Sequence, residues 1–242
     1  MLLRAKGIEK AYDGEKVLTD LDLSLEQGET LAVLGQSGCG KTTLLKILAG
    51  LDSLDRGKVS LNNVDITEIR PKARGIVYLY QEALLFPHLT VFENIAFGLR
   101  LRDMPEEDIE SLVLAKVEGL ELKDHTHKMP DQLSGGQMQR VNFGRALIVN
   151  PKVLLLDEPF GALDSLTRTR MQALYKDVSE RDGITSIFVT HDLKEALLMG
   201  DRFAHMENGK LKTYKRKESF IKDPKVGVKE EITFWKDLDI RG

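Results

Sequence analysis

One short stretch of this sequence limits the possible folds of the chain more than any other. Residues 35–42 read Gly-Gln-Ser-Gly-Cys-Gly-Lys-Thr and fit the pattern G-x-x-x-x-G-K-[ST]. An apolar run, residues 30–34, precedes it, and residues 41–49 carry apolar side chains at helical spacing before Gly50. The sequence therefore predicts a strand, a glycine loop and a helix, which is the setting that a phosphate-binding loop requires.

Each residue type in this loop suits the binding of a phosphate group. Glycines let backbone N–H groups approach a phosphate, and the helix N-terminus adds positive potential. Lys41 is expected to bridge the β- and γ-phosphates, and Thr42 to bind Mg²⁺. The predicted nucleotide-binding residues here are Gly35, Gln36, Ser37, Gly38, Cys39, Gly40, Lys41, Thr42 and Thr43. A plain glycine turn before a helix is the alternative, and the agreement of residues and setting disfavours it.

A second motif places two acids at the end of a strand. Residues 153–156 are apolar and are followed by Asp157 and Glu158. The carboxyl ends of strands are where open α/β proteins bind ligands. Asp157 is predicted to hold Mg²⁺, and Glu158 to act as the general base for an attacking water. Alone, such acids are common turn residues; beside a phosphate loop they indicate phosphoryl chemistry.

Apolar periodicity outside the motifs predicts the rest of the fold. Residues 20–26 alternate between polar and apolar side chains, which is typical of a strand with one solvent-exposed face. Residues 153–156 and 184–190 are continuous apolar runs, a pattern of parallel strands buried on both faces. Asn208-Gly209 indicates a closing hairpin. We expect an α/β fold with a mostly parallel sheet and an N-terminal antiparallel part.

Residues from about 82 to 150 follow a different pattern that is mostly helical. Pro105 is expected at the first position of one helix. The apolar face of that helix is predicted to consist of Ile109, Leu112, Val113, Val117 and Leu120. This segment is interpreted as a helical subdomain inserted into the α/β core.

Composition limits the classes of partner. The formal net charge is −3, so no broad basic field favours nucleic acid. The apolar runs are far shorter than the roughly 18 residues of a membrane helix. A single cysteine, Cys39, cannot form an internal disulfide and suits a reducing compartment. We therefore expect a cytoplasmic location.

Residues 133–137 read Leu-Ser-Gly-Gly-Gln and precede a predicted helix. With the motifs at 35–42 and 153–158, this stretch makes the chain resemble the ATP-binding subunit of ABC transporters. The resemblance implies a P-loop NTPase core and an ATPase that uses ATP and Mg²⁺. It also implies head-to-tail pairing with a second cassette. The residues expected to close over the γ-phosphate held by that partner are Ser134, Gly135, Gly136 and Gln137.

Further roles follow from the same resemblance. Tyr12 is expected to stack on adenine, Gln81 to reach Mg²⁺ and the attacking water, and His191 to contact the γ-phosphate. Residues 162–164, Ala-Leu-Asp, match a loop that communicates across the dimer.

Three positions depart from the family pattern. Tyr80 replaces a phenylalanine, and Asn142 and Gly144 replace small apolar or β-branched residues in the helix after residues 133–137. Glycine inside a helix costs about 1 kcal/mol relative to alanine. A close packing contact is therefore expected at Gly144.

The resemblance also sets the expected domain boundaries. The cassette is predicted to span residues 1–214, including the helical insert at about 82–150. Residues 215–242 are expected to be a short C-terminal extension without a regulatory domain. The segment 81–95 is similar to importer cassettes for sugars, polyamines, ferric iron and oxyanions. Apolar side chains in residues 85–97 are expected either to receive a membrane subunit or to form the insert's own core.

The function implied is ATP-driven solute transport, with import favoured. Expected partners are a second cassette, identical or different, integral membrane permease subunits and a solute-binding protein. The chain would then lie on the inner face of the cell membrane. A soluble ATP-gated interaction module and an exporter cassette are the alternatives. The motifs do not encode the transported solute.

Overall fold

The computed structural model describes residues 1–231 and residue 233. These residues form two compact units. The first unit contains residues 1–74 and the described residues from Thr185 onward, and the second contains Gly75–Ile184. In chain order the elements are β1 (Leu3–Tyr12), β2 (Glu15–Leu25), β3 (Thr30–Gly35), α1 (Lys41–Ala49), β4 (Arg56–Leu61), β5 (Val64–Asp65), α2 (Pro71–Arg74), β6 (Ile76–Leu79), α3 (Val91–Arg100), α4 (Glu106–Gly119), α5 (Gly135–Leu147), β7 (Val153–Asp157), α6 (Ser165–Asp182), β8 (Ser186–Thr190), α7 (Leu193–Met199), β9 (Arg202–Glu207), β10 (Lys210–Tyr214) and α8 (Lys217–Lys222).

An antiparallel sheet forms one layer of the first unit. Its strand order is β2-β1-β4-β5. Along β2, Leu21, Leu23 and Leu25 are buried, whereas Asp20 and Asp22 are exposed. The predicted period of two is therefore confirmed, because alternate side chains of a strand point to opposite faces.

The first unit also contains strands in the order β10-β9-β3-β8. β3 is parallel to both β8 and β9, and every residue of β3 and β8 is buried, as the continuous apolar runs predict. β9 and β10 form the predicted hairpin. Asn208 and Gly209 both have positive φ, 47° and 72°, which a two-residue hairpin turn of this kind requires.

Helix α1 begins at Lys41 and ends at Ala49, as predicted. Gly50 follows in the left-handed conformation with φ 76°. The buried Arg74 guanidinium donates to the Ile47 and Leu48 carbonyls at 2.9 and 3.0 Å. These bonds satisfy carbonyls that a helix end leaves without partners, and they fix the helix that begins at the glycine loop.

The second unit pairs β6 with β7 in parallel, from Ile76 opposite Val153 to Leu79 opposite Leu156. Helices α3, α4 and α5 lie within the segment predicted to be helical. The boundaries of the cassette and of its insert stay predictions.

Two predictions about helix α4 are wrong in detail. Pro105 is the N-cap residue rather than the first helical residue. Ile109, Val113 and Val117 are buried, but Leu112 is 44% exposed. At about 100° per residue, Leu112 falls roughly 60° to one side of Ile109 and further from the other two, so it lies at the margin of the buried stripe.

The close packing expected at Gly144 is confirmed. A Cβ at this position would lie 2.9 Å from Cδ1 of Ile95 and 3.1 Å from Cδ1 of Leu120. Helix α5 therefore needs a glycine where it meets α3 and the end of α4, and the packing offsets the low helix propensity.

The start of the predicted C-terminal extension lies against the hairpin. Phe220 of α8 is buried, and its ring stacks on Phe203 with 4.9 Å between centroids. Asp223 accepts hydrogen bonds from Lys212 and from the Tyr214 hydroxyl, at 2.6 and 2.7 Å. Residues 232 and 234–242 of the extension lie outside the described residues. In the part of the chain that is described, no helix is both long and apolar enough to cross a membrane.

Candidate functional site

The glycine loop has the conformation that its residues predict. Gly38 and Gly40 have positive φ, 81° and 107°. A Cβ at Gly40 would lie 2.9 Å from Leu18, and one at Gly35 would lie 2.6 Å from the backbone oxygen of Met206. Both the backbone angles and the close contacts therefore require glycine in this loop.

Lys41 holds the loop from within. Its ammonium donates hydrogen bonds to the carbonyl oxygens of Gly35 and Gln36, at 2.7 and 2.9 Å, and the residue is buried. The neighbouring Thr42 is exposed in the first turn of α1. A cation, glycine backbone and a helix N-terminus thus lie together, which is the chemistry that binds a phosphate anion.

Tyr12 stands at the end of β1 and is 42% exposed. Its hydroxyl donates a short hydrogen bond to Asp52. The ammonium of buried Lys10 lies 3.1 Å from Asp52 and 4.9 Å from the centroid of the Tyr12 ring. The bond to Asp52 and partial burial raise the pKa of Tyr12, so the hydroxyl stays a donor. The ring is therefore held in a fixed orientation with much of its surface accessible.

His191 follows β8, the strand next to β3. Because Leu34 pairs with Thr190 in parallel, the glycine loop and His191 leave the same edge of the sheet. The Thr190 hydroxyl donates to Glu195 at 2.7 Å and accepts from the Asp192 backbone at 2.9 Å. These bonds fix the turn that carries His191, which is exposed.

The second unit carries the two predicted acids. Asp157 is the last residue of β7 and is 9% exposed, and Glu158 follows with φ 45°. The hydroxyl of Tyr78 donates to Oδ2 of Asp157 at 2.5 Å. Burial, together with this hydrogen bond, raises the pKa of Tyr78, so the phenol is neutral and remains the donor.

Gln81 lies at the same strand edge as the acids, because Leu79 and Leu156 pair in parallel just before them. Its side chain is exposed. The amide nitrogen of Gln81 lies 2.9 Å from where a Cβ at Gly161 would stand. The structure therefore brings Gln81 to the loop that follows Glu158.

Ser134 begins helix α5 as its N-cap. Its hydroxyl accepts from the backbone of Gln137 at 3.3 Å, and the Gln137 side chain accepts from the backbone of Ser134 at 2.9 Å. This capping box satisfies two donors at the helix start. Ser134 and Gly135 are exposed, whereas Gly136 is buried, and a Cβ there would lie 2.6 Å from Thr167. The role of residues 134–137 in nucleotide binding stays a prediction.

A cavity of about 400 Å³ lies in the second unit beside β6. Its wall includes the rings of Tyr78, Tyr80, Phe86 and Phe97 and the guanidinium of Arg145. That guanidinium lies 4.4 Å from the Phe86 ring centroid, and the Phe86 and Phe97 centroids are also 4.4 Å apart. The lining thus combines four aromatic rings with aliphatic side chains, the cation of Arg145 and the carboxyl group of Glu82.

A family model described as ABC transporter matches residues 18–161, more than half of the chain. The chain belongs to the ABC transporter family. It is an ATP-binding cassette.

Similar sequences occur among importer subunits. The cassette is 43% identical over 224 residues to the spermidine/putrescine import ATP-binding protein PotA of Vibrio cholerae serotype O1, covering 93% of the cassette and 59% of that protein. PotA of Escherichia coli strain K12 matches with the same identity and coverage. The cassette thus spans about three fifths of the length of these curated relatives.

Solved structures of cassettes confirm the predicted fold. The dimeric post-hydrolysis cassette MJ0796 bound to ADP and Pi aligns with a TM-score of 0.78 and 32% identity, over 88% of this chain and 98% of that one. A second dimeric structure of MJ0796, a bacterial ABC transporter cassette, aligns with a TM-score of 0.76 and 33% identity, over 87% and 97%. The P-loop core with its antiparallel β subdomain is therefore confirmed.

Sequence reasoning missed the side chains that support the predicted site residues in the cassette. Lys10 and Asp52 hold Tyr12, and Tyr78 holds Asp157. Gln139 of α5 donates to the Pro159 carbonyl at 2.6 Å. One signal was present: Lys10 lies two residues before Tyr12 and therefore on the same face of its strand. The partners Asp52 and Pro159 carried no such signal.

Proposed function

We propose that the cassette binds and hydrolyses ATP with Mg²⁺ and so drives import of a polyamine through separate membrane subunits. The observation that carries the proposal is the glycine loop folded around the Lys41 ammonium at the start of α1. The resemblance to polyamine importer subunits supports the choice of solute class and favours import over an exporter cassette or a soluble interaction module.

The residues available for a metal ion suit Mg²⁺. The exposed Thr42 offers a hydroxyl, Asp157 a carboxylate and Gln81 an amide oxygen. Mg²⁺ prefers such oxygen ligands, with water and phosphate oxygens completing its shell. When bound with the nucleotide, the ion would neutralise charge on the phosphates.

The remaining residues act directly on the nucleotide and the water. Tyr12 would stack on the adenine, and Lys41 would turn from the loop carbonyls to the β- and γ-phosphates. Glu158 would take the proton of the attacking water, which Gln81 orients. His191 would contact the γ-phosphate.

A second cassette would complete each site. Ser134 and Gly135 are exposed at the N-terminus of α5, where the helix end favours an anion. We propose that they close over the γ-phosphate bound by the partner cassette. The dimeric arrangement of the similar cassette MJ0796 supports this assembly.

The membrane subunit is proposed to dock on the cavity beside β6 in the second unit. Val91 and Ile95 are buried and serve the core of this unit, whereas Phe86 and Phe97 are half-buried at the cavity wall. His88 is exposed nearby in the chain. Docking there would keep the cassette on the inner face of the cell membrane, with a solute-binding protein supplying the polyamine.

A Glu158→Gln variant tests the activity. Removing the base should lower ATP turnover by at least about a hundredfold, the scale of general-base catalysis, while ATP binding is retained. Lys41→Ala should instead weaken ATP binding. Glu107→Gln, an exposed acid in the first turn of α4, is the matched control and should leave turnover unchanged. Near-normal hydrolysis by Glu158→Gln would refute the assignment of the base.

Reconstitution tests the transport role. The cassette would be combined with its permease subunits and solute-binding protein in vesicles, and ATPase activity measured with and without spermidine. Stimulation by spermidine supports the proposal, and His88→Glu should reduce that stimulation without changing basal ATPase activity. Stimulation by sugars or oxyanions but not by polyamines would overturn the solute class.

A further inference from the structure

The pairing of β6 and β7 brings a tyrosine hydroxyl to the acid that ends β7. Tyr78 lies opposite Leu155, and Asp157 stands two residues further along the same strand. Side chains two residues apart share one face of a strand. The Tyr78 side chain therefore reaches diagonally along that face, and its hydroxyl donates to Oδ2 of Asp157 at 2.5 Å.

The ring that carries this hydroxyl is itself constrained. It packs edge-on against the Tyr80 ring, with 4.5 Å between centroids, and forms part of the cavity wall. Both partners of the hydrogen bond stand at strand positions rather than on loops. A donor held in this way restricts the orientation of the carboxylate that accepts its hydrogen bond.

We propose that Tyr78 is a positioning residue for Asp157: its hydroxyl holds the carboxylate in the orientation that binds Mg²⁺ with the nucleotide. The inference rests on the proposed binding of ATP and Mg²⁺. Carboxylates that bind metal ions are commonly oriented by outer hydrogen-bond donors, and loss of such a donor typically lowers metal affinity about 10- to 100-fold. Tyr78 acts on the metal ion through Asp157 and does not itself touch the nucleotide.

A merely structural Tyr78 would satisfy a buried carboxylate without affecting metal binding. The two roles differ in one measurable quantity, the gain in nucleotide affinity that Mg²⁺ provides. Tyr78→Phe removes the hydroxyl and keeps the ring. Tyr80→Phe is a matched control, because Tyr80 belongs to the same ring pair and cavity wall but forms no described bond to Asp157.

The experiment measures binding of ATP to the full chain by calorimetry, with excess Mg²⁺ and with EDTA, and binding of Mn²⁺ in the presence of ATP by electron paramagnetic resonance. Tyr78→Phe should weaken Mn²⁺ binding about tenfold or more and reduce the affinity gain from Mg²⁺, with ATP binding in EDTA unchanged. Tyr80→Phe should change neither quantity. Thermal unfolding of both variants checks that the fold is retained.

Three results would overturn the inference. They are unchanged metal binding by Tyr78→Phe, an equal loss in Tyr80→Phe, and an equal loss of ATP binding in EDTA. The last would indicate a general structural role. Failure of the proposed function looks different, because the unsubstituted cassette itself would then gain no ATP affinity from Mg²⁺, and this inference would fail with it.

Discussion

The side-chain amide of Gln81 occupies the space that a side chain at residue 161 would need. A Cβ built on Gly161 lies 2.9 Å from Nε2 of Gln81. Gly161 also donates from its backbone to the Glu158 carbonyl at 3.0 Å. The glycine thus leaves room for an exposed, flexible glutamine beside the loop that carries the proposed base.

Gly161→Ala should therefore displace Gln81 and slow hydrolysis. The fold should tolerate the change, since the clashing atom is the end of a flexible side chain and Gly161 does not have positive φ. A displacement of about 1 Å at a positioned group can cost on the order of a hundredfold, so we expect ATP turnover to fall about 10- to 100-fold with thermal stability nearly unchanged.

A double-mutant cycle gives the control for this prediction. In a Gln81→Ala background no amide remains to be displaced, so adding Gly161→Ala should lower turnover little further. Equal losses from Gly161→Ala with and without Gln81 would show that the glycine acts in another way.

Replacement by alanine should lower the free energy of unfolding at one helical glycine but not at another. At Gly144 a Cβ would press on Ile95 and Leu120, and overpacking a core costs about 1–3 kcal/mol, which equals or exceeds the helix-propensity gain of about 1 kcal/mol. At Gly119 the nearest atoms, 3.2 Å away, belong to the guanidinium of Arg181, which can move. Urea unfolding should show Gly144→Ala destabilised and Gly119→Ala unchanged or stabilised. A stabilised Gly144→Ala would contradict the packing argument.

The rate at which Cys39 reacts with a maleimide should depend on whether nucleotide is bound. The thiol is half-buried in the glycine loop, just before α1. Alkylation with a maleimide should block ATP binding sterically, and MgATP should slow the labelling. Cys39→Ser should remain active and resist inactivation by the reagent. Equal labelling rates with and without MgATP would place the thiol away from bound nucleotide.

The proposed dimer predicts complementation between two inactive variants. Ser134→Arg should keep ATP binding but lose hydrolysis, because Ser134 would serve the partner's nucleotide, and Lys41→Ala should lose binding. A mixture should recover part of the ATPase activity, since one composite site then has both intact halves. The check is ATPase activity of each variant alone and of the mixture. A mixture no more active than its components would count against shared sites.

The sequence by itself determined the local parts of this cassette. The glycine loop, the bounds of α1 and the turn at Asn208-Gly209 follow from residues near one another in the chain, because backbone angles and helix ends depend on neighbouring residues. Apolar periodicity likewise predicted the buried strands. It was wrong at Leu112, because periodicity gives the direction of a helix face but not how far the neighbouring elements cover it.

Only the tertiary structure decided which side chains hold the proposed site residues in place. Asp52 reaches Tyr12 from 40 positions away, and Tyr78 reaches Asp157 across 79 positions. Strand register and the docking of loops create these contacts, and no local pattern specifies them. A hydrogen bond depends on the distance between two atoms in the folded chain, so residue type and spacing could nominate Tyr12 and Asp157 but not the donors and acceptors that hold them.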